Sequence, residues 1–265
     1  MMITYQYIVL LIGLSCSFSG IAAKLINIPV IDPMGQTRTL IAESSGEFAI
    51  IEDDILIKTM PRTHTAQASL FFKIGGGYWP KGIVYYSLDP NLPNISINTI
   101  NDAIQVWEMH THAQFKKVDY MHPQHHDHLV FTPDDGKRCA SFVGRQGGEQ
   151  VLLLAKRCNT MNVVHELGHA FGLWHEQSRL DRDHFVEIVW DNITEENWYN
   201  FNQHITDSRD FGEYDYQSIM HYSAYAFSKN HEKTIVPLQH DVEIGQRQFL
   251  SPKDIAAVNG LCLND

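Results

Sequence analysis

The run His165-Glu166-Leu167-Gly168-His169-Ala170-Phe171-Gly172-Leu173-Trp174-His175 constrains this chain more than any other stretch. On an α-helix a spacing of four turns a side chain by roughly 40° and advances it about 6 Å, so His165 and His169 share a face and both rings reach one ion. His175 lies ten residues past His165. On a continued helix it would stand about 15 Å up the axis, far beyond metal–nitrogen bonds of about 2 Å. The helix must stop, and Gly172 is placed to stop it, because a residue without Cβ adopts the left-handed conformation that ends helices. Three histidines leave one coordination position for water, the arrangement of a catalytic rather than a structural zinc. Glu166, next to His165, is rotated off the ligand direction and is the expected general base toward that water; the chemistry implied is peptide-bond hydrolysis.

The rest of the chain can support such a site. Of 265 residues 44 % are hydrophobic and 19 % charged, enough for a substantial core and against disorder or coiled coil. The 20 Lys+Arg against 31 Asp+Glu give a net charge of −11, which repels phosphate backbones, so no nucleic-acid partner is expected. Ile8 to Leu14 is an apolar run followed by small residues and Ile21-Ala22-Ala23, the pattern of a signal peptide over residues 1–23 and hence of a secreted chain. The run is too short to span a bilayer, and no membrane span is expected elsewhere. Leu14-Ser15-Cys16 leaves a lipoprotein alternative, and the absence of Lys or Arg before the run leaves a different export route open.

Residues 24–68 read as a polar, irregular segment broken by Pro29, Pro33, Gly35, Gly46 and Pro61, with short β-prone pieces at Phe48 to Ile51 and Ile55 to Ile57. Beyond the glycines at 75–77, Ile83 to Tyr86 predicts a strand. Ile97, Ile100, Ile104 and Trp107 predict an amphipathic helix capped by Ser96. Strands follow at Leu129 to Phe131, Ser141 to Val143 and Val151 to Leu154, a second helix starts near Asn159 or Thr160, and Ser251-Pro252-Lys253-Asp254 opens a short C-terminal helix. His122, His125, His126 and His128 crowd one loop, read as polar surface rather than a metal site.

With Gln177-Ser178-Arg179-Leu180-Asp181-Arg182-Asp183 after the third histidine, and Ser218-Ile219-Met220-His221-Tyr222 further on, the sequence resembles the astacin family of metzincin zinc endopeptidases over about 70 to 265. The resemblance implies an α+β, two-lobed catalytic domain over 69–265: an upper mixed sheet with two long helices, an irregular lower lobe ending in the C-terminal helix, and one Zn2+ in the cleft between them. It implies His165, His169 and His175 as metal ligands, Glu166 as catalytic base and Tyr222 as both an additional, displaceable ligand and a stabiliser of the oxyanion. Met220 would form an apolar floor under the metal, and Glu176 would contact the N-terminus of a processed chain beginning near Gln67 to Leu70. The family's propeptides carry a Phe-x-Gly-Asp element whose aspartate fills the open metal position. Here Ile51-Glu52-Asp53-Asp54 is similar, making Asp54 the latency switch of a zymogen, with Asp53 in place of the glycine and Ile51 in place of the aromatic. The partners implied are protein or peptide substrates and an activating protease. A substrate is expected to lie extended along an edge strand near Val151 to Leu154.

By spacing alone Cys139 and Cys158 are either ordinary small residues or a bridge; the resemblance implies the bridge. It also implies a second one, from Cys262 to a position that is His112 here. Loss of such a staple costs roughly 2–4 kcal/mol unless packing compensates. Two rivals remain open on the residues: a zinc-bearing binding module without turnover, against which Glu166 argues, and a structural zinc protein, which would need a fourth protein ligand.

Overall fold

The structure is a computed structural model that describes residues 24–31, 37–45, 48–58, 76–121, 123–136, 138–204 and 210–263; the signal-peptide reading of 1–23 and the expected processed start near 67–70 lie outside them. Its centre is a sheet made by Ile83–Leu88 (β5), Gln114–Lys117 (β6), His128–Pro133 (β7), Cys139–Ser141 (β8) and Glu149–Leu154 (β9). β6, β5, β7 and β9 run parallel in that order, and β8 is antiparallel to β9. β9 shows the period-2 logic of a strand buried on both faces. Leu152 and Leu154 join the helix-side core with Val84, Leu129 and Phe131, while Val151 and Leu153 pack on the other face against Ala140 and Phe142.

Asn94–His110 (α1) and Thr160–Phe171 (α2) cover the helix side. Trp107 ties them together: its ring packs edge-on against Phe171 at 5.4 Å, and its indole N–H donates to the Val164 carbonyl at 3.0 Å. α1 starts three residues earlier than a Ser96 cap would place it. Pro93, already extended (φ −62°, ψ 147°), is its N-cap, and Ser96 falls inside the first turns. α2 starts as expected at Thr160, where the side chains of Asn159 and Asn162 cap each other's backbone amides. Cys139 and Cys158 are joined, tying β8 to the loop before α2.

Below the site, residues 176–204 and 210–250 are mostly irregular, with short 3-10 turns between Glu176 and Phe201, around a core of Val186, Ile188, Ile193, Phe201, Tyr214, Tyr222 and Ile235, and one two-stranded ribbon of Val186–Ile188 (β10) and Ile235–Pro237 (β11). Pro252–Cys262 (α3) then returns to the upper core, its Ser251–Asp254 capping box formed as the sequence predicts. Cys262 is free and buried there. At the place of the missing second bridge the His112 amide donates to the Asn259 side chain of α3 at 2.7 Å, and Cys262 packs into the core, so noncovalent contacts hold this junction.

Two expectations are corrected. The described residues of the upstream segment are more regular than expected: besides the β-prone pieces, which form Phe48–Ile51 (β3) and Ile55–Lys58 (β4), Leu25–Ile31 (β1) and Thr37–Ser45 (β2) are strands, and the four make an antiparallel meander that joins the central sheet at β8, where Ile55 pairs with Ser141. These strands owe their order to pairing and to a shared core of Ile28, Ala42, Ala49, Ile51, Ile55, Ile57 and Val143, not to any local period. And Val151 to Leu154 is not an edge: β9 is flanked by β7 and β8, and the outer side of β8 is taken by β4. Among the described residues no helix is long and apolar enough to cross a membrane.

Candidate metal centre

α2 presents His165 and His169 on one face, and the chain leaves the helix at Gly172, whose φ of 118° is left-handed as its position requires. The turn brings His175 back beside them. The ring centroids of His165, His169 and His175 stand 4.7 to 5.3 Å apart, and all three side chains are buried.

Each ring is oriented from behind. His165 Nδ1 meets the Ile219 carbonyl at 2.8 Å, His169 Nδ1 the Leu173 carbonyl at 2.8 Å, and His175 Nδ1 the Glu52 carboxylate at 2.6 Å. These oxygens accept, which places a hydrogen on each Nδ1 and leaves every Nε2 facing a common point. Burial pushes the His165 and His169 imidazoles below their usual range, toward the neutral, ligating form. The Ile219 carbonyl is itself held, because the Asp254 carboxylate of the α3 cap accepts from the Ile219 amide at 2.9 Å and the Ser218 hydroxyl at 2.6 Å.

At the common point sits Asp54. Its carboxylate oxygens lie 3.2 Å from His165 Nε2, 3.4 Å from His169 Nε2 and 3.3 Å from His175 Nε2. Against a burial penalty, chiefly the His175 imidazole holds Asp54 well below the usual carboxylate range. One ligand atom from each of the four residues falls within 4.8 Å of the others. Asp54 Oδ1 and His169 Nε2 are buried without a hydrogen-bond partner, a deficit one cation at their centre would remove. Three imidazoles and a carboxylate are the borderline donors that suit zinc, so the residues present fit one Zn2+. They would hold it through the three Nε2 atoms, with Asp54 in the fourth position.

The other predicted side chains surround this cluster. Glu166 is buried, with Oε2 unpaired, and burial followed by the charge of Asp54 pushes its carboxyl well above the usual range. Met220 packs beneath α2; a Cβ on Gly168 would stand only 2.7 Å from its sulfur, so this glycine sets the approach of the 218–222 turn to the helix. Tyr222 has its ring 4.6 Å from that of His175 and its hydroxyl buried and unpaired, while its amide donates to Gln177 Oε1 at 3.0 Å. Glu176 faces away, into a cavity of about 280 Å3 also lined by Asp215, Lys253 and Asp254; it accepts from the Asp215 amide at 2.6 Å, and burial pushes its carboxyl up to about 8.

The sequence reasoning missed the three groups behind the rings. Two are backbone carbonyls, which carry no side-chain signal. The third, Glu52, stands in an acidic run between apolar pairs, Ile50-Ile51 and Ile55-Leu56, a pattern that points to a turn tucked under a sheet. The histidine loop makes no metal group among the described residues: His125 stacks on Tyr85, His126 pairs with Asp127, and His128 is buried in β7.

A family model described as Astacin, a peptidase family, matches residues 75–262. The chain is 38 % identical over 188 residues to zinc metalloproteinase nas-4 of Caenorhabditis elegans, covering 69 % of this chain and 58 % of that protein. It is 35 % identical over 228 residues to the astacin-like metalloendopeptidase of Mus musculus, covering 83 % and 49 %. It thus spans about half the length of these relatives. Among solved structures, high choriolytic enzyme 1, a hatching enzyme zinc-protease of Oryzias latipes, superposes with a TM-score of 0.63 at 33 % identity, over 72 % of this chain and 94 % of that one. With its two-lobed α+β architecture and its three-histidine cluster, the chain belongs to the Astacin family of peptidases.

Proposed function

We propose that this chain is the latent form of a secreted zinc endopeptidase, with a signal peptide over 1–23, a propeptide-like segment over 24–68 and a catalytic domain over 69–265. The observation that carries the reading is the cluster itself: three imidazole nitrogens and a carboxylate converge on one point, and Glu166 stands beside it with Oε2 unpaired.

Zinc, when bound, supplies a Lewis acid that polarises a peptide carbonyl and makes water acidic near neutral pH. The protein supplies the rest. His165, His169 and His175 would hold the ion, their Nδ1 atoms held by Ile219, Leu173 and Glu52. Glu166 takes a proton from the attacking water at a carboxylate oxygen and passes it to the leaving nitrogen as the C–N bond breaks. Its buried site raises proton affinity, which suits a group that must hold that proton through the step. Tyr222 brings an unpaired hydroxyl to the same place, to ligate or to donate to the oxyanion. Met220 keeps the floor apolar. Asp54 is the latency switch: its carboxylate occupies the position that water and substrate need. An activating protease removes the segment, and the new N-terminus then approaches Glu176. The edge of β8, now taken by β4, is where an extended protein substrate pairs in its place.

The test is mass-spectrometric detection of products from an unfolded protein substrate, with the zinc-loaded chain freed of its leader segment beside its Glu166→Ala form. Internal cleavage by the parent alone, abolished by a chelator, is expected. Equal inertness of two proteins that each hold one zinc would make this a binding module instead.

A further inference from the structure

Tyr222 lies in neither helix nor strand, so side chains rather than a backbone ladder hold it. Its amide donates to Gln177 Oε1 at 3.0 Å, and at the other end of the same peptide the His221 carbonyl accepts from Arg247 Nη1 at 2.9 Å. Its own carbonyl meets His221 Nδ1 at 2.8 Å. The His221 ring is held in turn, with Nε2 2.7 Å from the Tyr214 hydroxyl. Because the Tyr222 carbonyl accepts at Nδ1, the neutral ring accepts at Nε2 and Tyr214 donates. Tyr214 is stacked on Phe185, the ring centroids 4.6 Å apart.

Gln177, His221 and Tyr214 are all buried, the first two completely. Burying a polar side chain is costly unless a hydrogen bond offsets it, and here the bonds converge on one residue. Gln177 contributes only its oxygen; its Nε2 is buried without a hydrogen-bond partner, so Oε1 is the side-chain atom that meets Tyr222. The far end of Tyr222 is the opposite case. Its hydroxyl is buried without a hydrogen-bond partner, and its ring is bounded by the rings of His175, Phe201 and Phe227 at 4.6, 6.0 and 5.9 Å. Both peptides that flank the Cα are pinned, while no directed bond fixes the phenol.

We infer that Gln177, His221 and Tyr214 are positioning residues for Tyr222: they fix its Cα, so that the hydroxyl reaches the metal or the oxyanion by rotation of the side chain alone. The inference rests on the role proposed above for Tyr222. Such a group depends on its root, because a misplacement of about 1 Å can cost about a hundredfold in rate.

The test uses the zinc-loaded full chain carrying Asp54→Ala. His221→Phe together with Tyr214→Phe removes the bond to the Tyr222 carbonyl and replaces both partners by apolar rings, so neither ring keeps an orphaned polar atom. This pair is expected to lower kcat on a peptide substrate by at least about fivefold, with KM within about twofold. In a chain that also carries Tyr222→Phe, the pair should cost nothing further. His221→Asn with Tyr214→Phe, whose amide nitrogen can donate from the place of Nδ1, should recover most of the loss. Gln177→Leu should repeat the pattern of the pair, and it stands in for the pair if that variant does not fold. A loss of the same size with and without the Tyr222 hydroxyl is a structural effect and overturns the inference, as does unchanged kcat. A second readout needs no turnover. With Cu(II) in place of zinc, a bound Tyr222 gives a visible charge-transfer band that Tyr222→Phe abolishes, and the pair should largely lose it while retaining a full equivalent of copper. A band of full strength in the pair overturns the positioning role. If the Asp54→Ala chain cleaves nothing, the peptidase reading falls and the copper band alone decides: a band lost in the pair keeps the positioning role, and no band in the Asp54→Ala chain itself removes it.

Discussion

The stretch from His165 to His175 and the stretch from Phe48 to Lys58 meet at one point, and they reach it by opposite means. The first is a single local device: a helix face, a left-handed glycine stop and a return. The second lies more than a hundred residues upstream and has no period to hold it. It is placed by pairing with β8, by a small aliphatic core and by the bonds of Glu52 and Asp54. The contrast teaches that a metal cluster can be written into eleven consecutive residues, while what covers it depends on contacts that exist only once the whole chain has folded.

Perturbing each side separately should keep the two apart. The largest effect belongs to the cluster: His169→Ala removes a candidate ligand whose Nε2 has no hydrogen-bond partner, and zinc stoichiometry after dialysis should fall from one per chain to near zero. Retention of a full equivalent would mean that the metal sits elsewhere. On the cover, Ile55→Ala empties a fully buried site where β4 joins β8 and should cost about 2–5 kcal/mol of local stability. Hydrogen exchange should then accelerate in β4 and leave α2 protected; equal acceleration in both would erase the distinction.

A smaller effect, about 1–3 kcal/mol, is expected from Gly168→Ala, whose new methyl would displace Met220. Denaturant titration should show it, and zinc affinity should fall with it, because Met220 adjoins the Ile219 carbonyl that orients His165. The smallest lies outside both regions. Asp127, bonded by His126, the Gly148 amide and Arg145, has its carboxyl lowered to about 2. Its contribution is therefore complete above the ordinary pKa near 4 and disappears as pH falls through 2. Asp127→Asn should lower stability at pH 7 by less than about 1 kcal/mol, since the group is partly exposed, and should not change it near pH 2. A deficit that persists at pH 2 would assign the effect to packing.

What could be read in the sequence follows the same division. The α2 histidine pair, the Gly172 stop, the Asn159 start and the Ser251–Asp254 box are all legible, because spacing and capping act over a few residues. The α1 start is not, because Pro93 caps without a side-chain signal. The strands β1 to β4 are only half visible, and Val151 to Leu154 passes for an edge, because strand neighbours are fixed by pairing rather than by composition. The carbonyls of Ile219 and Leu173 behind the rings carry no sequence signal, so the orientation of the histidines can be known only from the fold.

The claim that joins the two regions is that Asp54 closes a site built without it. It is tested most directly by comparing the zinc-loaded full chain with its Asp54→Ala variant on an unfolded protein substrate. The parent should be silent, the variant should cleave, and Glu166→Ala added to the variant should silence it again. A full-length parent that cleaves as fast as Asp54→Ala would contradict the account.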